Sequence, residues 1–283
     1  MIILIVPNLN KANAVDVTDN VIKDLLSFGA EVIMEKAMEP FFDNIAVRFY
    51  NMKSAYQKAD VIVTVGGDGT ILHTALDSLS YEKPLLGVNL GRMGFLATAE
   101  ANEPFKLKRL VDGDYTLDER VLLEANLQGG KNIQKTALND VVISRSNTSQ
   151  IIDVDIFCDE ILASSYRGDG VVISTPTGST AYSLSAGGPV LDAKISGIVV
   201  TPICAHSLNS PSMVFSEGRN LRIAVSSETQ SSVNVFMSCD GSKPIQINSD
   251  DKLTVALSKK FITLICFNEA DQFEAIDKKL KGR

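Results

Sequence analysis

The sequence predicts an α/β N-terminal domain built on a parallel, Rossmann-like sheet, followed by a β-rich C-terminal domain. Three observations carry this. The first hundred residues alternate short apolar runs with stretches of helical spacing, the pattern of a parallel sheet flanked by helices. From about Thr98 the apolar pattern shifts to a period of two, the signature of half-buried strands. The chain has 283 residues, more than one hydrophobic core usually organises.

The elements follow in order. Ile2–Val6 is an apolar run that reads as a buried strand; it lacks a basic flank, meets Pro7 and Asn8 at once, and is too short for a signal peptide. Val17, Val21, Leu25 and Phe28 predict a helix, with Asp16 as N-cap and Gly29 as its stop. Val32–Met34 reads as a short strand, and Ile45, Phe49, Met52 and Tyr56 repeat the helical spacing. Val61–Val65 is a β-branched strand that ends in a glycine-rich turn. Ile71, Leu72, Ala75, Leu76 and Leu79 supply a helix after it, and Leu85–Val88 the next strand.

In the second half, Ile152, Val154, Ile156 and Cys158 alternate with Asp153, Asp155 and Phe157. Val121–Leu127, Leu138–Ile143, Val171–Ser174, Ile198–Thr201, Leu221–Val225, Val233–Ser238, Leu253–Ala256 and Phe261–Phe267 also read as strands. A Ser/Thr/Gly-rich stretch around 175–188 reads as a loop opening a short helix. Phe273, Ile276 and Leu280 predict a last helix with a basic end. The expected domains are 1–98 and 99–267, with a helix over 268–283 packing back on the first.

Composition excludes several classes. Net charge is −7 and no Lys/Arg block appears, so the electrostatic footprint of a nucleic-acid binder is missing. An acidic chain that binds a polyanion must hold it locally, with backbone N–H groups, a metal ion or a few arginines. Cys158, Cys204, Cys239 and Cys266 form no CxxC pair, which argues against zinc and a disulfide framework. They read as thiols packed in strands of a reduced, cytoplasmic protein. No apolar run approaches the ~18 residues of a membrane span.

The turn Gly66-Gly67-Asp68-Gly69-Thr70 joins a strand to a helix. Its glycines let backbone N–H groups come close to a ligand, and the helix N-terminus adds partial positive charge. Both favour phosphate oxygens. A phosphate would repel Asp68, so a carboxylate here needs a role in the chemistry. It could accept a proton from an attacking hydroxyl, or hold Mg²⁺. The plainer alternative is a tight turn with Asp68 as N-cap. The motif is neither GxGxxG nor a P-loop, because no lysine follows.

This turn resembles the signature of the GGDGT kinase superfamily. Four further segments resemble the NAD kinases within it: Gly87-Val-Asn-Leu-Gly-Arg-Met-Gly-Phe-Leu96, the pair Asn139-Asp140, Thr175-Pro-Thr-Gly-Ser-Thr-Ala-Tyr-Ser-Leu-Ser-Ala-Gly-Gly-Pro189 and Pro202-Ile-Cys-Ala-His-Ser-Leu208. The resemblance implies ATP-dependent phosphorylation of the 2′-hydroxyl of the adenosine ribose of NAD, with Mg²⁺ as cofactor. It implies NAD and ATP as partners, a homodimer or homotetramer, and a site in the cleft between the domains.

It also implies roles. Asp68 is the general base, with the N–H groups of Gly67 and Gly69 near phosphates. Asn139 has the donor and acceptor to read the N6/N7 edge of adenine, and Asp140 accepts from ribose hydroxyls; the alternative is a plain Asn-Asp turn. Thr180, Ala181, Tyr182 and Ser185 line the NAD site, with Tyr182 placed to stack on a base. Arg167 meets a phosphate, and Asp169 a nicotinamide amide or ribose. Gln150 matches a position that contacts NAD in some members. His73 sits where it can touch phosphate, His206 has no assigned role, and Asp240 is either a second carboxylate of the site or part of a hairpin turn. Two rival readings are a GGDGT kinase acting on a lipid or sugar phosphate, which the polar Thr175–Ser185 stretch disfavours, and a silent dinucleotide-binding regulator.

Overall fold

The structure is a computed structural model that describes residues 1–91, 94–130, 132–146, 151–207, 209–226, 234–248, 250–268, 273 and 275–277. The chain divides into two compact units. One comprises Met1–Glu119 with Ile262–Arg283, the other Arg120–Phe261.

The first unit opens with β1 (Ile2–Pro7), α1 (Ala14–Ser27), β2 (Glu31–Glu35) and β3 (Arg48–Tyr50). It continues with α2 (Met52–Lys58), β4 (Val61–Gly66), α3 (Asp68–Ser78) and β5 (Leu85–Asn89). The strands pair in parallel in the order β5-β4-β1-β2-β3, as alternation of strand and helix requires. β4 is buried at every residue, so it lies in the middle of its sheet. Val63, Val65, Ile3, Ile5, Leu86 and the α1 residues Val21, Ile22 and Leu25 form one core. Gly29 ends α1 in the left-handed region (φ 89). The N-cap of α1 is Asn13, not Asp16, which lies inside the first turn.

The helical spacing of Ile45, Phe49, Met52 and Tyr56 misled in its first half. Ile45 is fully exposed, Phe49 lies in β3, and α2 starts only after Asn51, whose Oδ1 accepts the Ser54 N–H at 2.9 Å. After β5 come β6 (Ala99–Glu100), α4 (Pro104–Asp112) and β7 (Thr116–Gln128). The change of texture near residue 100 thus precedes the division at Glu119/Arg120. The intervening α4 buries Leu107 and Leu110 in the first unit's core.

The second unit holds β8 (Ile133–Ala137), β9 (Asp140–Arg145), β10 (Ile152–Cys158), β11 (Ile161–Gly168), β12 (Gly170–Ser174) and α5 (Tyr182–Ser185). Then come β13 (Gly197–Ile203), β14 (Met213–Ser216), β15 (Asn220–Ser226), β16 (Val235–Cys239), β17 (Ile245–Ile247) and β18 (Lys252–Cys266), whose residues from Ile262 on belong to the first unit. One antiparallel sheet runs β14-β13-β12-β9-β16-β17. β11, β10, β15 and the first part of β18 pair antiparallel in a second. Their facing sides close one core that includes Val141, Ile143, Val154, Val171, Ile173, Val200 and Met237.

The two strands expected at Leu253–Ala256 and Phe261–Phe267 are one long strand, β18, since neither Gly nor Pro breaks the stretch between them and Ser258, Lys259 and Lys260 continue it. All four cysteines are free. Three end strands, but Cys204 is exposed just beyond β13, so it is not a strand-packed thiol. Phe273 and Ala275–Asp277 are helical; Leu280 lies outside the described residues. Among the described residues no helix is long and apolar enough to cross a membrane.

Gly170 shows how tightly the β9–β12 pairing is drawn. It has φ +154, and a Cβ there would stand 2.0 Å from the Ile143 carbonyl oxygen. Gly170→Ala must open this pairing. We expect a loss of about 2 kcal/mol or more, read as a lower urea midpoint with an unchanged m-value. A midpoint equal to that of the unsubstituted chain would contradict the packing described.

Candidate active site

The glycine-rich turn of the first unit is assembled from three loops. β4 runs out at Gly66, and Gly67 caps α3 in an extended conformation. The Leu90 N–H donates to the Gly66 carbonyl at 2.8 Å, and the Asn8 N–H to the Val65 carbonyl at 2.9 Å. Asn8 Nδ2 donates to Thr70 Oγ1 at 3.1 Å, tying the β1–α1 loop to the first turn of α3. The N–H of Gly69 has no acceptor among the described residues, and the space where its Cβ would stand is open. That is the geometry of an anion seat at a helix N-terminus.

Asp68 is the first residue of α3 and does not cap it. Its Oδ2 accepts the Phe95 N–H at 2.8 Å and its Oδ1 the Leu96 N–H at 3.1 Å. The carboxylate therefore pins the second glycine-rich segment to the turn. Gly94 is a steric requirement of this joint, since a Cβ there would lie 1.8 Å from Asp68 Oδ1. Lys11, which the sequence did not single out, reaches the same place: a Cβ on Gly67 would stand 2.6 Å from its Nζ. The turn has no lysine of its own, yet the fold lays an ammonium over it from the β1–α1 loop. Asn89, buried at the end of β5 opposite Gly66, keeps its Oδ1 without a partner among the described residues.

The second unit presents a polar cluster where β9 begins. The Asn139 carbonyl accepts the Thr175 N–H at 2.9 Å, and the Leu138 carbonyl accepts Thr175 Oγ1 at 2.6 Å. Gly178 approaches so closely that a Cβ would stand 2.0 Å from the Asn139 carbonyl oxygen. The small residues of Thr175–Pro189 are thus used for close packing. Ser179 Oγ donates to the Pro176 carbonyl at 2.6 Å and accepts the Leu191 N–H at 3.0 Å, while Ser183 and Thr201 share a hydrogen bond of 2.9 Å. Asp140 is buried, faces Ser174 in register, and feels the charge of Asp240. Burial, and then Asp240, push its carboxyl up to about 7.

The fold gathers several expected residues around Asp140 and leaves others aside. Tyr182 is half-exposed; partial burial raises its hydroxyl's pKa, with Cys204, Asp140 and Asp169 adding to the effect. Thr180, Ala181 and Ser185 lie on the same short helical stretch with partial or full exposure. Asp169 is not available as a lone carboxylate: its Oδ1 accepts from Arg145 Nε at 2.9 Å and Nη2 at 2.6 Å. Arg167 is exposed on β11, 4.0 Å from Asp153, and its carbonyl accepts the His206 N–H at 2.8 Å. His73 is exposed on α3. Gln150 lies outside the described residues.

The family model of the ATP-NAD kinase N-terminal domain matches residues 3–115, and that of the ATP-NAD kinase C-terminal domain residues 138–266. The chain belongs to the ATP-NAD kinase family. Among family members, a protein named NAD kinase from Thermoanaerobacter sp. (strain X514) is 35% identical over 99% of this chain and 98% of its own length. A protein of the same name from Caldicellulosiruptor saccharolyticus is 38% identical over 79% of this chain and 83% of its own. Yeast NADH kinase, solved in complex with NADH, superposes with a TM-score of 0.85 at 26% identity, covering 99% of this chain and 87% of that one. An NAD kinase from Archaeoglobus fulgidus, solved with ATP, shares the fold with a TM-score of 0.75 at 23% identity over the whole of both chains.

The raised carboxyl of Asp140 has a consequence for stability. A carboxyl whose folded value lies above its unfolded one favours the fold fully below the unfolded value, about 3.9. That contribution disappears as pH rises through about 7. Asp140→Asn mimics the neutral form. We expect it to be more stable than the unsubstituted chain at pH 8, by roughly 1.4 kcal/mol or more, the free energy of a tenfold change in proton affinity. The difference should shrink toward pH 4.5. Urea unfolding at both pH values checks this, and a difference independent of pH would contradict it.

Proposed function

We propose that this chain transfers the γ-phosphoryl group of ATP to the 2′-hydroxyl of the adenosine ribose of NAD. The observation that carries the proposal is the state of Asn139 and Asp140. Their backbone groups are bound on both sides, yet among the described residues nothing on the chain hydrogen-bonds to either side chain. Side chains held in place and left unsatisfied are what a nucleoside reader requires. Asn139 would take the adenine edge and Asp140 the ribose hydroxyls. Tyr182, Thr180, Ala181 and Ser185 would line the rest of the nucleotide, and Arg167 would meet a phosphate. Asp169, held by Arg145, would offer its remaining acceptor capacity to the nicotinamide end.

In this reading the Gly67–Gly69 turn, with Lys11 above it, holds phosphate oxygens. Asp68 accepts the proton of the attacking hydroxyl. Two amide donors fix the orientation of its carboxylate, as a positioned general base requires. Among the described residues no three His, Cys, Asp or Glu side chains group as a metal cage. A Mg²⁺ ion would be held mainly by the phosphates and water and needs few protein ligands. When bound, the ion neutralises phosphate charge. Assembly as a homodimer or homotetramer and residence in the cytoplasm belong to the same proposal.

Two experiments test the reaction. An NAD analogue with a 2′-deoxy adenosine ribose is expected to compete with NAD without turnover, its affinity lowered by about 0.5–1.5 kcal/mol for one lost hydrogen bond. Phosphate on that analogue, detected by mass spectrometry, would sink the assignment of the acceptor. Asp68→Asn is expected to lower kcat by about 10²–10⁴-fold while NAD still binds; turnover near that of the unsubstituted enzyme would remove Asp68 from the chemistry.

A further inference from the structure

The hairpin between β16 and β17 is more than a solvated turn. Asp240 and Gly241 both have positive φ, 48 and 67, and the Ser242 N–H donates to the Cys239 carbonyl at 2.9 Å. This is a tight primed turn, in which aspartate followed by glycine is a favoured pair. Backbone preference alone would account for an aspartate here. It does not account for where the side chain goes.

The Asp240 carboxylate turns away from its own hairpin to the chain entering β9. Its Oδ2 accepts the Leu138 N–H at 2.7 Å, and its Oδ1 accepts those of Asn139 at 2.8 Å and Asp140 at 3.0 Å. The Asp240 N–H donates to the Asp140 carbonyl at 3.0 Å, which locks the two segments from the backbone as well. Three successive amides, each short of a strand partner at the mouth of β9, thus share one carboxylate. Thr175 and Gly178 hold the carbonyl side of the same residues.

The carboxylate is also expensive where it stands. It lies close enough to the buried Asp140 to oppose its ionisation. A turn that needed only positive φ would be served by asparagine without that repulsion. The charge makes sense as an acceptor for several donors at once, because amide bonds to an ionised acceptor are shorter and stronger than neutral ones.

We propose that Asp240 is the positioning residue of the acceptor nucleotide site: by fixing the backbone of Asn139 and Asp140 it sets the aim of their side chains at the adenosine. This rests on the reading that Asn139 and Asp140 hold NAD. It predicts a defect confined to NAD. Asp240→Ala removes the acceptor of all three amides. Asp240→Asn keeps one carbonyl oxygen for two of the amides and turns an NH₂ group on the third, so it recovers part of the loss and retains the turn.

The experiment is steady-state kinetics and NAD and ATP titrations on the full chain for both variants, with hydrogen exchange at residues 138–140. We expect KM and Kd for NAD to rise about tenfold or more in Asp240→Ala, less in Asp240→Asn. ATP binding should stay within about twofold, with faster exchange of the three amides. If Asp240→Ala fails to fold, Asp240→Asn decides alone. Equal losses for both nucleotides, or a fall in kcat with NAD binding unmoved, would overturn the proposal. Asn139→Ala and Asp140→Ala run alongside: should these leave NAD binding unmoved, the assignment of the pair fails and the role of Asp240 with it. Should they weaken NAD while Asp240→Asn and Asp240→Ala do not, only the positioning role falls.

Discussion

A backbone amide withdrawn from water must find an acceptor, and in each unit of this protein the amides that matter find an aspartate. Asp68 takes those of Phe95 and Leu96, and Asp240 those of Leu138, Asn139 and Asp140. In both places the segment served is irregular backbone next to a strand end, where no neighbouring strand can supply carbonyls. The rest of the candidate site depends on this. Side chains such as Asn139 can be left unsatisfied by the protein only because the backbone carrying them is over-determined.

Glycine does the complementary work. Gly94 and Gly178 are not in turns that demand positive φ; they are places where another group comes within the radius of a methyl. A side chain at Gly94 would displace the Asp68 carboxylate, and one at Gly178 the Asn139 carbonyl. The glycine-rich appearance of the two segments therefore records close approach of neighbouring backbone as much as flexibility, and it explains why both motifs extend beyond the residues that would touch a nucleotide.

Much of this was legible in the sequence, for a physical reason. β1, β2, β4 and β5 of the first unit are buried on both faces and show as continuous apolar runs, and the period-two pattern of β10 follows from one buried face. Short or edge elements were illegible. β3 has three residues and no buried one, and in β11 the apolar Ile161 and Leu162 are exposed while the buried residues come late, so neither shows the alternation of a half-buried strand. At the candidate site, the residues carried by local motifs were the ones singled out: Asp68, Asn139, Asp140. Lys11 was not, because nothing near it in sequence marks a phosphate seat; only the parallel pairing of β1 with β4 brings its loop to the turn. Asp240 was visible as a hairpin aspartate, but its partners lie about a hundred positions away in the chain.

The first unit is not continuous along the chain. Ile265 and Phe267 are buried in its core beside Val63 and Leu86, and Leu264 pairs with Leu85 on β5. A ribosome delivers residues in order, so the sheet of the first unit lacks the strand that pairs with β5 at Leu85, and its core lacks Ile265 and Phe267, until the last part of β18 emerges. The second unit, drawn from a single uninterrupted stretch, has its whole complement of strands earlier. The order of closure is therefore set by the returning segment: the unit that carries the glycine-rich turn lacks part of its core until Ile265 and Phe267 have followed the whole of the second unit.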